Sequence, residues 1–349
     1  MPAIPIQRAW LGALLLGLAL PLHAQQAERI DLGAGRASIH NLIGRLSIEA
    51  GTGSSVVAEV SRGGKDGAQL KLSRDGGGLR VLFPGDRFVY PALGAHSNTN
   101  LDVRDDGTFD GDHWGGGGRR VRISGTGSGL EAWADIRVLV PPGRDLEVHL
   151  AVGAVSVRNV DGNLSLSTAS GDIQTQSTKG TLSIGTGSGD ITATGHDGTF
   201  DAETGSGEVT ASTLAGALAE VETGSGNVTL TGVNVNRLHV EAGSGDVRIS
   251  EAKAPDADVE TGSGNISVTL VAGFQSLTVE AGSGDVEVLA PSTIGATVDI
   301  STGSGGIETE FPLQVTRKTS DGLRGTIGDG KGTLTVETGS GDVTLRRRQ

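Results

Sequence analysis

A five-residue turn recurs through most of this chain, and its period constrains the fold more than any other feature. Thr186-Gly187-Ser188-Gly189-Asp190 is the cleanest copy, and others start at Thr168, Thr204, Thr223, Ala242, Thr261, Ala281, Thr302 and Thr338. Successive starts lie 18, 18, 19, 19, 19, 20 and 21 residues apart, and the last interval is 36. A near-constant period of this size is the mark of a solenoid, in which one supersecondary unit stacks on copies of itself. The interval of 36 reads as two coils with one turn lost.

The residues flanking each turn alternate with the period of a β-strand. Before the turn, one apolar row runs Leu166, Ile184, Ala202, Val221, Val240, Val259, Val279, Ile300 and Val336. After it, a second runs Ile173, Ile191, Val209, Val228, Val247, Ile266, Val286, Ile307 and Val343. Each coil therefore reads as two short strands sharing a thin aliphatic core, and the fold class as all-β, a parallel β-solenoid. A hairpin meander also alternates, but near-identical turns favour stacking, since neighbouring coils then superpose like positions roughly 4.8 Å apart.

The second glycine of the turn never varies: Gly171, Gly189, Gly207, Gly226, Gly245, Gly264, Gly284, Gly305 and Gly341. Its invariance is expected to reflect a positive φ, which glycine adopts at no steric cost. The opening Thr or Ala fits a tight corner where volume matters more than the hydroxyl. The closing position, mostly Asp or Asn, is expected to cap its own turn.

Gly reaches 58 of 349 residues and aromatics only 3%, a composition compatible with disorder, but the regular apolar rows exclude that reading. There is no Cys, so neither a disulfide nor a lipid-modified cysteine is available. Residues 1–24 read as a secretory signal peptide: Arg8, an apolar run from Ala9 to Leu20, then a small-residue site at Ala24. No later segment is apolar enough for a transmembrane helix, so the mature chain is expected to be exported, either periplasmic or at the cell surface. Net charge is −13, which argues against nucleic acid as a partner.

In chain order, 25–83 holds irregular β-strands, 84–130 is a Gly- and Asp-rich excursion expected to lie on the surface with partial order, and 131–349 carries the regular array. The strand ending in Val140-Pro141-Pro142-Gly143, followed by repeated Val-Glu-Thr-Gly-Ser-Gly-Asp-Val units, resembles the "putative adhesin" family of bacterial envelope β-repeat proteins. The resemblance spans about residues 40–345. It implies a β-solenoid at the cell envelope, in a domain family without assigned biochemistry, and supplies no catalytic residues.

One row suggests a binding surface. Glu203, Glu222, Glu241, Glu260 and Glu280 occupy the same outward position of five consecutive coils, and Glu337 follows later. Such carboxylates repel one another unless a cation or a basic partner neutralises them, and otherwise form a solvated face. A calcium β-roll is the alternative, but only one turn per coil is glycine-rich, and Asn, Glu or Gly replaces the acid in several copies. Asp106-x-Thr108-x-Asp110-Gly111 imitates the start of an EF-hand loop yet has Gly117 where its bidentate Glu belongs. The seven His residues are dispersed, and every motif Ser is a turn residue, so no catalytic constellation emerges. The expected function is a non-catalytic, cofactor-free scaffold presenting a repetitive surface to an envelope glycan or protein. A calcium-dependent adhesive module and a carbohydrate-active β-helix enzyme using Asp135, Arg137 and the excursion are the alternatives.

Overall fold

The computed structural model describes residues 27–109 and 118–348. The expected leader at 1–24 and residues 110–117 of the excursion lie outside the described residues. The chain is a parallel β-solenoid in which, through the middle of the array, each coil lies flat on the one before. Ile173–Ser188 runs beside Ile191–Ser206, with Ile173 opposite Ile191 and Thr186 opposite Thr204. The same parallel register carries through Val209–Ser225 and Val228–Ser244. The inward rows close on each other along the axis: Ile191, Val209, Val228, Val247, Ile266 and Val286 are each at most 1% exposed.

Each coil has a second corner that the sequence hides. Asn159, Ser177, Gly195, Thr213, Gly232 and Glu251 stack in successive coils, and all six adopt the left-handed conformation, with φ between 54° and 70°. Four of the six are not glycine, so no composition signal marks the bend. It bends the chain within each of these coils at a point that the expected pair of strands does not mark.

The turn itself is held by contacts between coils. A Cβ on Gly207 would fall on the carbonyl of Gly189, and one on Gly226 would fall on that of Gly207. The same overlap recurs from Gly153 on Gly44 through to Gly341 on Gly284. A left-handed φ, the expected reason for the invariance, occurs only at some copies, such as Gly245 (147°) and Gly264 (150°). The space is missing at every copy, so close approach of one backbone to the next sets the rule.

The opening Thr matters through its hydroxyl, contrary to expectation. Thr204 Oγ1 donates to Gly189 O at 3.1 Å, Thr223 Oγ1 to Gly207 O at 3.2 Å and Thr261 Oγ1 to Gly245 O at 3.0 Å. All are buried, so each hydroxyl satisfies a carbonyl that the turn leaves without a strand partner. The closing acid likewise reaches across coils: Asp190 Oδ1 accepts from Glu208 N at 2.9 Å and Asp246 Oδ1 from Asn265 N at 2.8 Å. It caps the next turn rather than its own.

The stack begins earlier than the array expected at 131. Ala37–Ala50 lies in parallel beneath Arg144–Arg158, from Ala37 opposite Leu146 to Glu49 opposite Arg158, so residues from the 25–83 region form a coil of the same solenoid. Below it, Trp133–Val140 pairs in parallel with Ala37–Ala50 and antiparallel with Val56–Gly63, which closes that end. The excursion has more order than expected. Arg87–Val89, Asn98–Val103 and Arg119–Ser124 form a separate three-stranded sheet. Phe88, Val121 and Ile123 in it are fully buried, and Phe83 meets Phe88 edge-on at 5.4 Å.

The other end departs most from the sequence reading. Ser276–Ala281 does not pair with Ala296–Thr302, the next coil in the chain. It pairs with Gly332–Thr338, which in turn pairs with Ala296–Thr302. The Thr and Asp ladders follow this order: Thr338 Oγ1 donates to Gly284 O at 2.9 Å, Thr302 Oγ1 to Gly341 O at 2.9 Å, and Asp342 Oδ1 accepts from Gly306 N at 2.7 Å. The interval of 36 is therefore no lost turn. Residues 332–348 slot between two coils laid down before them, and Leu313–Lys318 with Gly322–Ile327 forms an antiparallel hairpin over the end. Arg317 and Lys318 charge the outermost strand, which discourages edge-to-edge pairing.

Two outcomes follow. Gly207→Ala should cost on the order of 3 kcal/mol in chemical denaturation, the overpacking limit, whereas Gly185→Ala, with no atom within 4 Å of the added methyl, should change stability little. Removing 332–349 should lower the melting temperature far more than loss of a terminal coil would, because the apolar rows of both flanking coils lose their neighbour; a melt matching the parent would refute the inserted order.

Candidate functional site

The strand preceding each turn turns alternate side chains outward, and the parallel register superposes them. Glu203 lies opposite Glu222, then Glu241, Glu260, Glu280 and Glu337. The expected ladder is thus assembled as one continuous row, and the inserted coil adds Glu337 directly after Glu280. Beside it lies a shallow groove of about 550 Å³ with Glu241, Glu260, Glu280 and Glu337 along its wall and Gly243 and Gly262 among its lining.

The row is electrostatically costly. Burial on the rung face, then the carboxylates of Glu203 and Glu241, push the Glu222 carboxyl up from its usual value. Burial, Glu260 and Glu337 do the same at Glu280. The Asp row instead places one oxygen of each acid on the backbone of the adjacent coil.

A second outward row, two residues earlier, reads Ser183, Asp201, Glu220, His239, Asp258 and Thr278. Asp201 is engaged by Ser183 Oγ at 2.9 Å. The ligand atoms of Glu220, Glu222 and His239 all lie within 4.8 Å of one another, and His239 Nδ1 is 3.6 Å from Asp258 Oδ2. A groove of about 540 Å³ opens beside them, lined by Arg237, Asp256 and Thr278 as well. The sequence showed His239 only as one of several dispersed histidines. The shared 19-residue step from Glu220 to His239 to Asp258 was the signal that could have found it.

The residues offered for an enzyme are committed elsewhere. Asp135 Oδ1 accepts from Arg45 N at 2.9 Å, and Arg137 pairs with Glu49 at 2.8 Å and Glu59 at 3.2 Å. Asp106 holds its own turn by accepting from Thr108 N at 3.0 Å; the remainder of the EF-hand-like stretch, Asp110, Gly111 and Gly117, lies outside the described residues. Near the excursion, His40 stacks on His149 at 4.4 Å, and Glu147 is shared by His149 and Arg36. Burial, then the neighbouring His149 and Arg80, lower the His40 pKa to about 4. Buried His196 bridges Thr178 Oγ1 and Thr199 O, both at 3.0 Å, and burial lowers its pKa too.

With this geometry in hand, comparison with known proteins finds one family model that matches part of the array. Residues 196–346 match the family model of Toastrack DUF4097. The match bears out the resemblance to an adhesin-like β-repeat domain without assigned biochemistry. Five chains of solved structures also match. One, from Bacteroides fragilis NCTC 9343, is described as a "putative adhesin": 11% identity, 93% of this chain and 98% of that chain covered, TM-score 0.37. One from Clostridium sporogenes ATCC 15579, described as a "putative cell adhesion protein", shares 12% identity over 93% and 100% of the two chains, with a TM-score of 0.18. A "putative lipid binding protein" from Parabacteroides distasonis ATCC 8503 gives 11%, 93%, 98% and 0.37 in the same measures. No curated protein matches the chain. Among the described residues, no helix is long and apolar enough to cross a membrane.

The ladder gives a signed pH effect. The native carboxyl of Glu280 has a raised pKa, so its ionisation destabilises the fold, and that stability is present at low pH and lost as pH rises above the usual 4.5. Glu280→Gln should therefore melt higher than the parent at pH 7, with the difference vanishing near pH 4. The histidines act oppositely in both proteins: with depressed native pKa values, His40 and His196 cost stability as pH falls below 6.5.

Proposed function

We propose that this protein is a non-catalytic, exported scaffold that presents its carboxylate-lined face to an envelope partner, a glycan or a protein. The observation that carries the reading is the register-matched Glu row, extended by Glu337, alongside a groove with glycine in its lining. Glycine lets a ligand approach the backbone closely, and carboxylates at coil spacing accept hydrogen bonds from hydroxyls or cationic groups in a repeating pattern. The Toastrack match over 196–346 spans this face. The calcium β-roll gains no support, since the turn acids Asp190, Asp246 and Asp285 already use Oδ1 on the next coil.

Pull-down of envelope glycans and proteins with the parent and with a Glu241→Gln, Glu260→Gln, Glu280→Gln triple variant tests this. Binding should fall at least tenfold in the variant while its melt stays at or above the parent's. Equal binding by both would remove the carboxylate face from the interaction. Deleting 84–130, a natural first experiment, is unsuitable because that segment buries Phe88, Val121 and Ile123.

A further inference from the structure

We infer that Glu220, Glu222 and His239 form a binding site for a divalent transition metal of the zinc class, with Asp258 as the positioning residue behind the imidazole. Glu220 and Glu222 stand two apart on one strand and point to the same side; His239 lies opposite Glu220 on the next coil. Backbone pairing on both sides fixes all three positions, so the donors converge without a loop having to order. Among the described residues, no other trio of His and carboxylate side chains brings its ligand atoms this close.

Three observations bear on this place. The first is the donor set. Elsewhere the outward row offers oxygen alone, which suits calcium or magnesium, whereas two carboxylates with one imidazole suit zinc and its neighbours. The second is the absence of protein partners: among the described residues, neither Glu220 nor Glu222 has a hydrogen bond or an Arg or Lys ion pair. Glu49, Glu59, Glu147 and Asp299, by contrast, are each paired with arginine.

The third is Asp258. Its Oδ2 faces His239 Nδ1 at 3.6 Å, and its Oδ1 is shielded from water without a partner. A carboxylate behind a metal-ligating histidine fixes the tautomer and leaves the other nitrogen for the metal. With Nδ1 turned to Asp258, Nε2 is that nitrogen. Tetrahedral zinc with bonds of about 2.0 Å needs ligand atoms roughly 3.3 Å apart. From 4.8 Å, small rotations of the partly exposed Glu side chains close the set. The fourth position then faces the groove of about 540 Å³, where water or a ligand group can complete the shell.

Untagged protein stripped with chelator is titrated with zinc and, in parallel, calcium by calorimetry, and with cobalt by visible absorption. The parent should bind one zinc tightly and give a tetrahedral cobalt band. His239→Ala should weaken zinc at least tenfold and abolish the band, Asp258→Asn should weaken it about tenfold, and His96→Ala, remote from the site, should leave it unchanged. Should His239→Ala fail to fold, Glu222→Gln must show the same loss. Absence of zinc binding, an undiminished affinity in His239→Ala, or calcium competing on equal terms would overturn the site. Neither result bears on the partner-binding triple variant, which leaves Glu220, Glu222 and His239 in place.

Discussion

Everything in this molecule depends on how closely one backbone turn can sit on the next. Along the glycine ladder the carbonyl of one coil occupies the place where a Cβ of the next would be. That contact lets the rungs keep strand spacing around a sharp corner. The corner in turn leaves a carbonyl without a ladder partner, and the buried threonine hydroxyls supply the missing donor. The Asp and Asn side chains then join each turn to its neighbour from outside. Apolar burial drives the rungs together, but the glycines decide that they superpose.

Superposition explains both what the sequence reveals and what it conceals. Position-by-position repetition of Gly, Thr, Asp and Glu is visible because each ladder requires the same chemistry in every coil. The left-handed corner is invisible because Asn159, Ser177, Gly195, Thr213, Gly232 and Glu251 share a backbone conformation and nothing else. Likewise, Ala37–Ala50 has the geometry of a coil without its signature: Gly44 keeps the ladder position, but no Gly-Ser-Gly run surrounds it. The inserted order of 332–348 could not be read at all, since periodicity counts residues and says nothing about which coil lands on which.

The same rule concentrates chemistry on one face. A side chain placed outward in one coil is placed beside its counterparts for the length of the rod, so charge accumulates in rows instead of patches. The Glu row gives a uniform surface suited to a repetitive partner. In the second row, which already mixes hydroxyls and carboxylates, the histidine between Glu220 and Asp258 adds an imidazole to a local set of acids. Because the platform is rigid, such a change needs no accompanying rearrangement of the chain. A solenoid of this kind can acquire a discrete site by a single replacement, and the register does the rest.

The inserted coil has a consequence for how the molecule is made. A chain synthesised from its N-terminus can add rungs one by one up to Val286–Pro291, each resting on a finished neighbour. Residues 296–309 then emerge with nothing beneath them, and their seat is created only when 332–348 arrives. Assembly by simple accretion therefore halts one step before the end, and closure is a cooperative event involving two rungs and the hairpin together. This gives the rod a keystone: a product shortened before it leaves the aliphatic rows of Ser276–Ala281 and Val286–Pro291 without the coil that covers them in the finished rod.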